Sequence, residues 1–177
     1  MPRRPTEQLQ AGRAFYANRL PGIDVEHFGA LWHLFTLGHL VETDLESIAR
    51  PMGCSFADLD CLGTLAVDEQ RRLRATDLAS ALYVSDAVMS ERIARLHRQG
   101  LIARTPHPDD RRAYTLALTD AGRQLLDRAV EVVAAQAKLV RFLRQLPTED
   151  RQQLVRILGD LHQMYDREFA GQPYFDG

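Results

Sequence analysis

The chain has 177 residues, of which 45% are hydrophobic and 26% are charged, a composition typical of globular proteins long enough for one good core. The formal net charge is −2, but residues 71–112 contain nine arginines and five acidic residues, so this segment is +4 and the remainder is −6. A basic stripe on an acidic body is typical of a localised DNA-binding surface.

Several classes of protein are disfavoured by what the sequence lacks. It has no phosphate-binding glycine loop, no G-x-S-x-G motif and no clustered metal ligands, so we expect neither an enzyme nor a bound cofactor or metal. The longest apolar stretch, residues 30–41, is interrupted by His33 and His39 and is too short to span a bilayer. Because there are only two cysteines and no export segment, we expect a cytoplasmic protein without membrane contact.

The first third of the chain is predicted to be helical. Residues 1–20 favour a short helix, and Asp24 is placed to cap a long helix that starts at Val25. That helix is apolar nearly all round and should be buried between other helices. The segment 51–53 ends it, and Ser55 caps the helix that follows.

Residues 77–119 are predicted to form two short helices and a two-stranded ribbon. Ser85 can cap the second helix, and Gly100 suits the left-handed position that ends it. The segments 101–104 and 114–118 are strand-like and are joined by a charged turn over residues 105–112. This is the layout of a winged helix-turn-helix, in which the second helix enters the major groove of DNA.

The second helix of this pair has two distinct faces. Met89, Ile93 and Leu96 fall on one side and should pack inward. The opposite side mixes small residues with arginines, which suits a DNA groove, although a solvated face is the alternative. Paired arginines in the hairpin turn suit the minor groove. The predicted DNA-binding residues are Ser85, Ala87, Val88, Glu91, Arg95 and Arg98 on the helix, with Arg111 and Arg112 on the wing.

The helices outside this lobe predict a dimer. Thr119 caps a long helix that reaches about Gln145, and Thr148 begins a last helix. One lobe cannot cover so many apolar helices, so the predicted fold is mainly α with a small β-wing, in an intertwined helical homodimer. The predicted division is 1–53 for dimerisation and a ligand pocket, 54–118 for DNA binding, and 119–177 for dimerisation. Two recognition helices roughly 34 Å apart would read a palindromic operator in double-stranded DNA.

Residues 78–126 resemble the MarR family of bacterial transcription regulators. The resemblance includes the run Asp110-Arg111-Arg112 in the wing and the run 118–122, Leu-Thr-Asp-Ala-Gly. It implies an obligate homodimer that usually represses genes and is released by a small ligand or by oxidation. Two departures stand out, because Arg74 replaces a frequent Ser or Thr cap and Tyr83 occupies a turn position where glycine is common.

Within the family, the runs 56–65 and 88–93 are similar to the urate-responsive, PecS-like branch. The resemblance implies that Trp32, Asp60 and Arg92 bind a small aromatic or anionic effector. Trp32 can stack on a flat ring, Arg92 can bind an anionic oxygen, and Asp60 can accept a ring N–H. The alternative is that Trp32 belongs to the core and that Asp60 and Arg92 form a structural salt bridge. Asp68 would repel an anion, which argues against urate itself.

Two other functions are left open by the residues. One is a winged-helix module for protein interaction that does not bind DNA. The other is a redox-sensing regulator that uses Cys54 and Cys61, since Cys54 lies near a helix N-terminus, where a thiolate is favoured.

Overall fold

A computed structural model of the chain describes residues 4–20, 26–107 and 110–169, with the backbone alone for residues 18, 26, 107, 110–113 and 169. The chain divides into two compact units, residues 1–43 and residues 44–177. None of the helices described is both long and apolar enough to cross a membrane. The helices and strands are α1 (Pro5–Arg19), α2 (Glu26–Ala49), α3 (Phe56–Val67), α4 (Ala75–Ala81), α5 (Asp86–Arg98), β1 (Ile102–His107), β2 (Asp110–Leu118), α6 (Asp120–Gln136), α7 (Lys138–Leu143) and α8 (Thr148–Phe169).

The two strands follow α4 and α5 in sequence and form an antiparallel hairpin. This arrangement confirms the predicted mainly helical fold with a small β-wing. Ile102 pairs with Leu118 and Pro106 pairs with Tyr114, with a register shift after Pro106. The strands are longer than predicted, because most of the expected turn over residues 105–112 is strand. A proline is tolerated there because β1 has a neighbouring strand on one side only.

One apolar core lies within residues 49–129. It is built from α3 to α6 and the hairpin, and the predicted inward residues Met89, Ile93 and Leu96 are all buried in it. The largest of its fully buried side chains are Leu62, Leu78, Met89, Leu96, Ile102 and Cys61. The recognition helix α5 is therefore fixed to the lobe by one whole face.

Two glycines lie where the wing joins the helices before and after it. Gly100 has φ +72°, so it adopts the left-handed conformation predicted for the end of α5. Gly122, in the first turn of α6, lies so close to the start of the wing that an added Cβ would stand 2.1 Å from the carbonyl oxygen of Leu101. The hydroxyl of Thr119 caps α6 by accepting the N–H of Gly122 and donates to the carbonyl of Gly100. These contacts fix the wing to the helix that follows it.

The predicted single helix from Thr119 to about Gln145 is wrong. The chain leaves the helical conformation at Ala137, with φ −61° and ψ +127°, and restarts as α7. The cause lies far away in sequence. Asp44, near the end of α2, accepts the backbone N–H of Lys138 at 2.6 Å through Oδ2 and its Nζ at 2.7 Å through Oδ1. Asp44 thus supplies the cap that α7 lacks locally.

Large apolar side chains remain exposed on the outer helices. Phe35 of α2 is 78% exposed in the single chain, so the predicted burial of α2, which depends on the helices of a second copy, stays a prediction. Exposures of 41–64% are found along α2 at Phe28, Leu31, Leu34, Leu37 and Leu40, and along α8 at Val155, Ile157, Leu158, Met164 and Tyr165. Apolar exposure on this scale marks an interaction surface.

Candidate nucleic-acid interface

The recognition helix α5 begins where the sequence predicted. Ser85 is in an extended conformation, and its hydroxyl accepts the N–H of Val88 at 3.3 Å. The turn before it passes through Tyr83, whose φ of +51° explains why glycine would suit this position. The Tyr83 hydroxyl lies 3.0 Å from both His162 Nε2 and Asp166 Oδ1. The turn of the helix pair is therefore tied to α8.

One face of α5 is open to solvent. Ala87, Val88, Glu91 and Arg98 are exposed, Arg95 is half-buried, and Ser85 lies partly covered at the cap. Small side chains occupy the N-terminal end of the face and arginines its C-terminal end. A helix of this kind can approach base edges closely at one end and bind phosphates at the other.

An acidic residue that the sequence analysis did not single out lies behind this face. Asp58 of α3 has a side chain only 3% exposed, and its Oδ1 accepts a hydrogen bond from Arg95 Nη2. The Nε of Arg92 lies 3.7 Å from the same oxygen. The other oxygen, Oδ2, accepts the backbone N–H of Ser55 at 2.9 Å. One carboxylate therefore joins the start of α3 to two arginines of α5.

The environment of Asp58 favours its charged form. Burial acts to raise the pKa of this carboxyl, but the hydrogen bonds from Ser55 and Arg95 outweigh burial and hold the pKa below its ordinary value. The Ser55-x-x-Asp58 spacing is that of a capping box, which was a signal available in the sequence. The contact between Asp58 and Arg95, which lie 37 positions apart, gave no signal in the sequence.

The wing arginines can be placed only in part. Arg111 and Arg112 belong to strand β2, but their side chains lie outside the described part of the structure. A cavity of about 580 Å³ lies between α4, α5 and the wing, and Arg104 and Tyr114 of the wing contribute to its wall. The rest of its lining is Arg74, Ala75, Thr76, Ser90, Ile93, Ala94 and Leu116.

The predicted effector residues differ in their surroundings. The Arg92 side chain is 14% exposed, and its buried Nε makes no hydrogen bond. Its ion-pair partner is Asp58, so the alternative of an Asp60–Arg92 salt bridge is wrong. Asp60 keeps contact with solvent, but the protein around its carboxyl group displaces part of the water, which raises its pKa more than the nearby charge of Arg92 lowers it. Trp32 belongs to the other unit, where it lines a cavity of about 190 Å³ between α1 and α2 together with Tyr16.

The two cysteines do not have the environment of a redox sensor. Both are buried, and burial raises the pKa of each thiol, that of Cys61 to about 11. The expectation that the helix N-terminus favours a Cys54 thiolate is wrong, because burial and nearby acidic groups act in the opposite direction. No cluster of three or more metal-binding side chains occurs among the residues described.

Comparison with known proteins agrees with this fold. The model of the MarR family matches residues 52–113. The regulator PecS of Dickeya dadantii is 28% identical over 121 residues, covering 66% of this chain and 70% of PecS. The repressor YetL of Bacillus subtilis is 24% identical over 146 residues, covering 82% of this chain and 86% of YetL. The structure of MepR of S. aureus in complex with DNA matches with a TM-score of 0.68 and 19% identity, over 79% of this chain and 99% of MepR.

Proposed function

We infer that this chain, a MarR-type DNA-binding transcriptional regulator, represses its target genes as a homodimer that a small effector releases from DNA. The observation that carries the proposal is the α5 face, which is buried on one side and presents Ala87, Val88, Glu91 and Arg98 on the other. A winged helix places such a face in the major groove. The family match and the relatives, which are transcription regulators, do not favour an interaction module without DNA binding.

Contacts with DNA are proposed at three levels. The N-terminal end of α5, from Ser85 to Glu91, reads base edges, since small side chains there allow close approach. Arg95 and Arg98 bind guanine or phosphate further along the helix. Arg111 and Arg112 of the wing bind the minor groove or its phosphates, which positions the lobe without reading sequence.

The exposed apolar residues of α2 and α8 support the proposed homodimer. The side chains named above are too large and too many for a surface that stays in water, and a second copy supplies a matching surface by symmetry. Two copies of α5 about one DNA turn, roughly 34 Å, apart would read a palindromic operator. Any change in the spacing of the two recognition helices then weakens binding to both half-sites at once.

The effector is proposed to be a small aromatic anion that uses Arg92. The Nε of this guanidinium makes no hydrogen bond and lies 3.7 Å from Asp58 Oδ1, so the side chain keeps N–H donors from which an anionic oxygen can accept. Trp32 and Asp60 complete the proposed ligand set, Trp32 by stacking on the ring and Asp60 by accepting an N–H. An effector bound at Arg92 acts directly on the recognition helix.

DNA binding is tested with fluorescent duplexes that tile the region upstream of the gene, over a series of salt concentrations. Arg98→Ala should weaken binding and reduce the slope of log K against log salt by about 0.9, the effect of one lost phosphate contact. Arg112→Ala should weaken binding to every sequence and leave the dimer intact. Arg50→Ala removes the same charge from an 80% exposed arginine between α2 and α3, and it should change neither the affinity for DNA nor the salt slope. Absence of binding to any duplex in dilute salt would overturn the proposal.

Effector binding is tested with benzoate and urate as flat anionic probes, by thermal shift and by release of bound DNA. Arg92→Lys should retain DNA binding and lose most of the response. Arg104→Ala, in the separate cavity beside the wing, should respond as the wild type does. If Arg92→Lys responds normally and Arg104→Ala loses the response, the effector binds in the wing cavity and the assignment to Arg92 is overturned.

A further inference from the structure

We propose that Asp58 is a positioning residue for DNA recognition, which sets the specificity of α5 by holding Arg95 in one pose. The proposal rests on the DNA-binding function proposed above and adds a residue that contacts no DNA itself. The buried carboxylate of Asp58 thereby determines how much more tightly the chain binds its specific sequence than other DNA.

The Asp58 carboxylate is held rigidly. It lies in the first turn of α3, where Oδ2 accepts the Ser55 N–H while the Ser55 hydroxyl accepts the Asp58 N–H at 3.1 Å. Both oxygens are thus engaged, one by the helix start and the other by Arg95. A carboxylate fixed in this way and almost completely buried cannot follow a moving guanidinium.

Arg95 is only partly enclosed by this contact. Its side chain is 40% exposed, and it lies on α5 four residues after Glu91 and three before Arg98, which places all three on one stripe of the helix. A guanidinium has five N–H donors in a rigid fork, so a bond from Nη2 to Asp58 leaves others available. An arginine held from behind loses less side-chain entropy when it binds a base edge or a phosphate.

The same contact limits non-specific attraction. Asp58 neutralises part of the positive charge beside the DNA-facing surface, and non-specific binding depends almost entirely on that charge. Without the carboxylate, Arg95 would be free to follow any phosphate. Asp58 therefore lowers affinity for arbitrary DNA and raises the selectivity of the lobe.

The test compares two duplexes, one of random sequence and one recovered as the tightest binder from a random library. Asp58→Asn keeps the size of the side chain and an oxygen that can accept the Ser55 N–H. It should bind random DNA more tightly, with a slope of log K against log salt steeper by about 0.9. The ratio of affinities for selected over random DNA should fall about tenfold, the worth of one well-placed contact to a base. In an Arg95→Ala background, Asp58→Asn should leave that ratio unchanged.

Glu69 provides the matched control, because it is the acidic partner of Arg123 in the same lobe. Glu69→Gln frees an arginine with similar exposure, 42%, away from α5, and should leave the selectivity ratio unchanged. A purely structural role for Asp58 would weaken binding to both duplexes alike, and this result would overturn the proposal, as would a full effect of Asp58→Asn in the Arg95→Ala background. Failure of the wild type to bind either duplex would instead contradict the DNA-binding function itself.

Discussion

Substitution of Gly122 by alanine tests how the wing is attached to the lobe. The added Cβ would stand 2.1 Å from the carbonyl oxygen of Leu101, and backbone atoms rather than a flexible side chain fill this space. Real Cβ contacts essentially never fall below 3.0 Å, so the start of the wing and the first turn of α6 must separate by about 0.9 Å. Because Leu101 lies three residues after the end of α5, this separation also moves the wing relative to the recognition helix.

The expected loss of stability can be estimated from these contacts. Overpacking of a tight site costs typically about 1–3 kcal/mol, and a clash between two backbones belongs at the upper end. The better helix propensity of alanine returns about 1 kcal/mol at most. We therefore expect a net loss of about 2 kcal/mol, which lowers the melting temperature of a chain of this length by about 4–8 °C.

The assay is urea and thermal unfolding followed by circular dichroism at one protomer concentration, since dimer stability depends on concentration. Gly63→Ala is the matched control, because an added Cβ there meets no atom within 4 Å in the middle of α3. It should gain about 0.5–1 kcal/mol. If Gly122→Ala is as stable as the wild type, α6 does not pack closely against the start of the wing.

Three further results are expected. Tyr83→Phe removes the hydroxyl that bonds to α8 and should lower the free energy of unfolding by about 1 kcal/mol, measured by urea titration; no change would mean that the turn is not tied to α8. Burial raises the pKa of Cys61 to about 11, so its thiol should resist iodoacetamide at pH 8 in the native state and react only after unfolding. Mass spectrometry measures the labelling, and rapid labelling of the native protein would support a redox-sensing role for the cysteines. Hydrogen bonds from Lys138 lower the pKa of Asp44, so its carboxylate stabilises the fold above the ordinary pKa of about 4 and this stabilisation is lost as the pH falls further. Asp44→Asn should therefore show a shallower fall of the urea midpoint as the pH drops below about 4, and an unaltered fall would contradict the capping role.

Local signals in the sequence were sufficient to predict the winged-helix lobe. Ser85, Gly100 and the apolar spacing of Met89, Ile93 and Leu96 each act within a few residues of the chain, and the structure contains all of them as predicted. Caps and helical periodicity depend on neighbours along the chain, so they can be read without knowledge of the fold.

The features that were missed depend on residues distant in sequence. The break at Ala137 could not be predicted, because the apolar pattern continues across it and the cause is Asp44, 94 positions from Lys138. The alternative of an Asp60–Arg92 salt bridge was wrong because Asp58 and Asp60 lie on the same helix, and the sequence does not say which of the two faces α5. Burial of α2 was predicted from its composition together with a second copy of the chain, and it stays a prediction.

The most direct test of the account is sedimentation of the full chain with a duplex from its own upstream region, together with footprinting of the complex. We expect two chains on each duplex, two protected patches about one helical turn, roughly 34 Å, apart, and dissociation as salt is raised. A stable monomer, or a protein that leaves every duplex unprotected even in dilute buffer, would contradict it.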